Sequence, residues 1–273
     1  MPVSVRTVAT PAEAAAALSS DRGARYIAGG TLIMRALNEG DVGITTLVRL
    51  GDRALAQIRI TGARVSIGAE ATLAQILRER ELSFLHPVVR SIGGPAVRVM
   101  GTVGGNLFAP SPFGDLTVAL LALDATVSVQ SGYVARDMGL QEFLAGRDRA
   151  PGALVLGVSF DRPASAAAFR YRKTARVRPK GASVVSIAAH LPSMGGRVSG
   201  ARIAYGAMAP TAIRALAAER ALEGRTLDVA GVSAAVAAAA EGTSPATDAI
   251  ASAWYRREVI GVHLRRLLLG VEA

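Results

Sequence analysis

The chain has 273 residues, 51% of them hydrophobic, a formal net charge of +10 and no cysteine. A chain of this length suits about two domains around a sizeable buried core. Without cysteine it has no disulfide, thiol nucleophile, iron–sulfur ligand or thiolate zinc site of its own. His86, His190 and His263 fall in no metal-ligand spacing, so redox or transfer chemistry here needs an organic cofactor or a partner. No stretch reaches the roughly 18 uninterrupted apolar residues of a membrane span, and the N-terminal residues lack the pattern of a signal peptide. A cytoplasmic chain is the expectation.

The positive charge is not by itself a nucleic-acid signal. Only Lys173 and Lys180 are lysines, and arginine-heavy usage beside abundant Ala, Gly and Val reads as codon bias. The densest basic run, "RYRKTARVRPK", has one aromatic and no nucleic-acid motif. An acidic partner surface or a phosphate-bearing ligand suits the charge better.

In chain order, "TPAEAAAAL" predicts a helix capped by Thr10, with Pro11 in its first turn. "ARYIAGGTLIMRALNEG" reads as strand, glycine turn and helix. "TTLVRL", "QIRITGARVSIGA" and "ATLAQILRER" continue as a strand, a hairpin-like pair and a helix, the apolar period changing from two to that of a helix. "LHPVVRSIGGPAVRVM" predicts a helix broken at Gly93-Gly94-Pro95. A glycine-rich loop, a buried segment "LTVALLALD" and the strand "ATVSVQ" follow. Short connections and this alternation indicate a sheet domain of α+β or α/β type. Beyond a boundary near "DRPASAAA", "ASVVSIAAHL" and "GRVSGARIAYGAMA" predict strands, the second interrupted at Gly200. "TLDVAGVSAAVAAAAEG" and "AIASAWYRREVIGVHLRRLLLG" predict helices, with Ala253, Val259, Val262, Leu264 and Leu267 near one apolar face.

Two glycine-rich loops stand out. Gly29-Gly30-Thr31 and Gly101–Asn106 each lie after an apolar stretch and lead towards a helix. Glycine lets backbone amides approach a ligand closely, and successive amides at such turns form concavities for anions. Two loops suit a diphosphate, and Asp115 is placed in sequence to accept from ribose hydroxyls. Neither loop is G-x-G-x-x-G, and neither ends in G-K-[ST]. Spacing alone leaves open whether they are ligand loops or tight turns of a sheet protein.

Longer blocks carry more. "AGGTLIMRAL" and "VRVMGTVGGNLFAPSPFGDLTVALLALDATV" resemble the FAD-binding medium subunit of molybdenum hydroxylases, the group of carbon monoxide, xanthine and nicotine dehydrogenase flavoprotein subunits. "FRYRKTARVRPKGASVVSIAAHL", "ARIAYGAMAPTAIRALAAERALEG" and "ATDAIASAWYRREVIGVHLRRLL" resemble that family's C-terminal domain, in the expected order. The resemblance covers nearly the whole chain. It implies an α+β architecture: a two-subdomain FAD-binding fold of the p-cresol methylhydroxylase type (residues 1–163, subdomains about 1–55 and 56–163), then a C-terminal domain (164–273) with a small antiparallel sheet and helices.

Carried over by position, the resemblance gives the diphosphate to Ala28, Gly29, Gly30, Thr31, Leu32 and Ile33. The second flavin loop is Gly101, Thr102, Val103, Gly104, Gly105 and Asn106, with Ser111 beyond it. Asp115 takes the ribose, Val155 an apolar position by the flavin, and Lys173 a basic position near the ring system. Leu32 stands where the family often has Asp or Ser, and Val99 where Asn is common; backbone contacts survive both changes. FAD is expected to be non-covalent. Molybdopterin and two [2Fe–2S] clusters are expected only on a large and a small partner subunit, in a heterotrimer or its dimer. The implied role is electron transfer from the clusters through FAD to a terminal acceptor, with no catalytic side chain and no metal on this chain. The alternatives are a stand-alone FAD oxidoreductase of the same fold and a scaffold subunit that has lost FAD.

Overall fold

The computed structural model describes residues 2–51, 54–149, 152–177 and 181–271; the end of the basic run, residues 178–180, lies outside them. Strand β1 (Ser4–Val8) leads to α1 (Pro11–Ser20). The Thr10 side chain accepts from the Glu13 amide, and Glu13 accepts from the Ala9 amide at 3.0 Å. The Thr10 cap, with proline in the first turn, starts the helix where the sequence indicates. β2 (Ala24–Tyr26) passes through the first glycine turn into α2 (Ile33–Asn38), and β3 (Thr46–Leu50) lies parallel to both earlier strands in the order β1-β3-β2.

The hairpin of β4 (Ile58–Thr61) and β5 (Arg64–Gly68) precedes α3 (Leu73–Ile76), which Thr72 and Gln75 start with a capping box. α4 (His86–Arg90) and α5 (Pro95–Met100) are separate because Gly93 takes φ +51° and Pro95 has no amide hydrogen to continue a helix. α6 (Val103–Leu107) follows, then α7 (Asp115–Ala122), which is buried throughout. Next come β6 (Thr126–Ser131), β7 (Val134–Gly139), α8 (Leu140–Gly146), β8 (Leu154–Asp161), β9 (Phe169–Ala175) and β10 (Ser183–His190). The chain ends through β11 (Ser193–Met194), β12 (Arg197–Val198), β13 (Arg202–Gly206), β14 (Ile213–Arg214), α9 (Leu216–Leu222), α10 (Ser233–Ala237) and α11 (Ala253–Leu269).

These elements form two compact units. The first comprises Met1–Arg78, Gly94–Ala109 and Ala125–Phe160. It holds the parallel sheet, with α1 packed on it through Ala14, Ala15, Ala17 and Leu18 against Val8, Val48 and Leu154, and a five-stranded sheet of order β4-β5-β8-β6-β7.

The second unit comprises Glu79–Gly93, Pro110–Asp124 and Asp161–Ala273, around an antiparallel sheet of order β14-β13-β10-β9. α7 lies close on one face: a Cβ on Gly206 would stand 2.8 Å from Val118 and 2.4 Å from the Ser186 hydroxyl, so glycine is what admits the helix there. On the other face Ile187, Ile203 and Tyr205 pack with Leu222, Ala235, Ile260 and Leu264 of the last helices. Among the described residues no helix is long and apolar enough to cross a membrane.

Three sequence expectations change. "FRYRKTA" is a strand, not merely a basic run. The Ala-rich segment 226–242 is helical only over Ser233–Ala237. α11 buries Arg256, Ile260, Leu264, Leu267 and Leu268, while Val262 is exposed. Residues two apart in a helix point in nearly opposite directions, so Val262 and Leu264 do not share a face.

Candidate cofactor site

In the first unit, β2 ends where the Ile27 amide bonds the Val48 carbonyl at 2.8 Å. The next six amides, from Ala28 to Ile33, make no hydrogen bond among the described residues. Gly30 adopts φ +72°, a conformation that turns the chain at little cost only in glycine. Leu32, at the N-cap of α2, provides no side-chain cap. This first loop is a run of unpaired donors.

The second loop is built differently. Its amides are already used: Gly101 bonds Val97 O at 2.6 Å, Val103 bonds Ala71 O at 2.9 Å, and Gly104 bonds Ala69 O at 2.8 Å. Gly105 donates to the Thr102 hydroxyl at 3.1 Å, and Asn106 to Thr102 O at 3.0 Å. Thr102 is thus the N-cap of α6. A Cβ on Gly104 would meet both Ala69 Cβ and Ala69 O at 3.0 Å, whereas one on Gly105 would meet only the Thr102 hydroxyl, at 3.1 Å. Gly104 is a packing glycine against Ala69, and Gly105 is half-buried against the Thr102 hydroxyl. Amides without a partner among the described residues thus run through the first loop, while those of Gly101 and Val103–Asn106 in the second are engaged within the chain.

The two loops abut. A Cβ on Gly29 would lie 1.6 Å from the Met100 carbonyl oxygen, and one on Gly101 would lie 3.7 Å from the Thr31 hydroxyl. A third contact, absent from the sequence reading, supports them. Tyr26 donates its hydroxyl to Glu70 at 2.5 Å, next to the Ala69 and Ala71 carbonyls that receive the second loop. Burial, together with the Glu70 carboxylate, pushes the Tyr26 hydroxyl far above the usual phenol range. Met34, Val97, Val99 and Met100 expose apolar surface on the helices after and before these loops, while Val155 is buried in β8 opposite Val129.

In the second unit, Asp115 and Lys173, given separate roles by the resemblance, are in contact. Lys173 Nζ stands 2.7 Å from Asp115 Oδ2, with the side chains only 10% and 5% exposed. Asp115 Oδ1 accepts from the Ser183 hydroxyl at 2.9 Å, and Lys173 also donates to the Ser91 carbonyl at 3.1 Å. The Tyr171 hydroxyl lies 3.0 Å from Ser91 Oγ. Burial and the Asp115 charge raise the Tyr171 hydroxyl well above its ordinary value. Ser111 is exposed in the turn before α7. Sequence reasoning missed Ser91, Tyr171 and Ser183. The usable signal was the alternation Phe169, Tyr171, Lys173 along one face of β9.

The residues fit a dinucleotide cofactor where it most needs donors: unpaired amides at a positive-φ glycine, beside an exposed apolar surface. Comparisons with known proteins agree. Residues 2–162 match the model of the FAD binding domain in molybdopterin dehydrogenase, and residues 169–271 match the CO dehydrogenase flavoprotein C-terminal domain. The 6-hydroxypseudooxynicotine dehydrogenase complex subunit alpha of Paenarthrobacter nicotinovorans is 32% identical, covering 96% of this chain and 92% of that protein. The carbon monoxide dehydrogenase medium chain of Afipia carboxidovorans is 30% identical over 80% of this chain and 77% of its own. Among solved structures, quinoline 2-oxidoreductase from Pseudomonas putida 86 superposes with a TM-score of 0.88 at 28% identity, covering 99% of this chain and 97% of that one. CO dehydrogenase from Oligotropha carboxidovorans gives 0.87 at 28% identity, covering 98% and 96%. The fold is therefore the α+β FAD-binding fold with its C-terminal domain, and the chain belongs to the FAD-binding medium subunits of the molybdenum hydroxylases, a family of multi-subunit oxidoreductases.

Proposed function

We propose that this chain is the electron-transfer subunit of a molybdenum hydroxylase complex. It would receive electrons from [2Fe–2S] clusters on a small partner subunit, downstream of a molybdopterin-bearing large subunit, in a cytoplasmic heterotrimer or its dimer. Bound FAD supplies storage for two electrons delivered one at a time. The observation that carries the reading is the run of unpaired amides from Ala28 to Ile33.

The chain's own residues bind and orient. The amides of Gly29, Gly30, Thr31, Leu32 and Ile33 receive the diphosphate, since converging donors at a turn suit phosphate oxygens. Gly101, Val103 and Gly104 form the floor against which the first loop is set. Thr102, Gly105 and Asn106 form the ligand-facing end of the second loop. Ser111 and Asp115 serve the ribose, Asp115 through the lone pairs left beside Lys173 and Ser183. Val155 lies by the flavin, and Lys173 provides the positive charge near the ring. No step asks a side chain of this chain to act as nucleophile or general base.

The test is flavin reduction in the reconstituted complex. Substrate of the molybdenum subunit should bleach the flavin only when both partner subunits are present. Bleaching of the isolated chain by an alcohol or amine would instead make it a stand-alone oxidoreductase.

A further inference from the structure

The outer face of α11 is composed like an interface and is exposed among the described residues. Trp254, the only tryptophan, is 68% exposed, with Tyr255 at 45% and Val262 at 50%. Arg265, Arg266 and Glu258 share that side, while Arg257 is exposed on another side of the helix. The side chains of these four make no hydrogen bond or ion pair among the described residues. Large exposed apolar side chains are ordinary when scattered, but a tryptophan, a tyrosine and a valine on one helix face with two arginines is the composition of binding hot spots.

The face is also held rigidly. Arg256, on the opposite side, is buried; it donates to the Val184 carbonyl at 2.9 Å and to both Asp248 oxygens at 3.0 and 2.9 Å. Ser252 caps the helix, and the Thr247 hydroxyl receives the Ala253 amide at 3.0 Å. Trp254 therefore projects from a braced helix start, and a pre-ordered face loses less entropy on binding than a loop would.

Resting on the reading of this chain as a subunit, we infer that this face docks an acidic surface with an apolar recess on a partner subunit of the complex. Charge selects that occupant. Two unpaired guanidinium groups against one carboxylate leave the face net positive, and guanidinium groups form short, paired bonds with carboxylates. Trp254 fills the recess, and the arginines form the rim.

The absence of cysteine makes the test clean, because Val262→Cys and a control Tyr133→Cys each introduce a single thiol on this subunit. Maleimide labelling of this chain is measured by mass spectrometry, free and in the purified complex. The Val262→Cys thiol should be slowed by about tenfold or more in the complex, as for a buried thiol. Trp254→Ala and Arg265→Glu should each weaken retention of the partner subunits by about 30-fold, the scale of a hot spot. Both variants should keep the wild-type circular dichroism melt and FAD content.

Equal labelling of Val262→Cys free and in the complex would overturn the inference, as would variants that assemble like wild type. Protection of Val262→Cys by homodimerisation of the isolated chain would assign the face to a second copy and also overturn it. If the wild-type chain assembles with no molybdenum or iron–sulfur subunit at all, the subunit reading falls with it. A complex that forms normally without protecting the face removes this inference alone.

Discussion

Removing the charge of Lys173 leaves the Asp115 carboxylate buried with the Ser183 hydroxyl, at 2.9 Å, as its side-chain partner. Removing the charge of Asp115 leaves the ammonium with the Ser91 carbonyl at 3.1 Å. Breaking one side of a buried ion pair costs about 3–5 kcal/mol, whereas replacing both sides with uncharged groups of similar shape is often near neutral. Lys173→Met and Asp115→Asn should therefore each lose about 3–5 kcal/mol, a large share of the 5–15 kcal/mol typical of a folded protein. The double variant should be more stable than either single one. Urea unfolding followed by far-ultraviolet circular dichroism gives all four corners of the cycle. A double variant that loses the sum of the two single losses would refute the reasoning, because it would mean that each group acts alone. FAD content measured on the same samples separates the pair's contribution to folding from its contribution to the cofactor.

Gly29→Ala should destabilise the chain by about 3 kcal/mol or more, because its Cβ would lie 1.6 Å from Met100 O. Gly105→Ala, with only the Thr102 hydroxyl at 3.1 Å, should keep the wild-type melting temperature and lose FAD affinity; thermal melts with and without added FAD distinguish the two. Tyr26→Phe should cost about 1.5–3 kcal/mol, the range for a hydrogen bond to a charged group, read as a lower urea midpoint. His263 is held at about 4, first by burial and then by the Arg172 and Arg266 charges. The unfolded chain protonates near 6.5 and the folded chain only near 4, so stability is complete above pH 6.5 and falls as pH drops towards 4. Allowing for solvent screening, the fall is about 1–2 kcal/mol, and His263→Gln should flatten that part of the pH–stability curve.

Much of the fold was legible where local chemistry and tertiary packing agree. Thr10 and Pro11 mark the start of α1, Gly93-Gly94-Pro95 breaks α4 from α5, and β10 shows as the apolar run "SVVSIAAH". β9 was hidden because both of its faces carry polar work. Tyr171 and Lys173 reach Ser91 and Asp115, while Arg170 on the other face bonds the Leu267 and Leu268 carbonyls at the end of α11. A strand with such partners on both sides shows no alternation of apolar and polar residues. The internal bonding of the second glycine loop was not legible for a related reason. Sequence reveals that Gly104 admits a close backbone approach, not that the approaching backbone is Ala69 of the same chain. In the first loop, Gly30 and its neighbours leave their amides unpaired among the described residues.

The most direct measurement is the absorption spectrum of the purified full-length chain, followed by acid release and chromatography of its chromophore. A flavin spectrum with close to one equivalent of free FAD released is the expected result, and Gly105→Ala should release less. A colourless chain that takes up no added FAD would contradict the cofactor assignment at Ala28–Ile33.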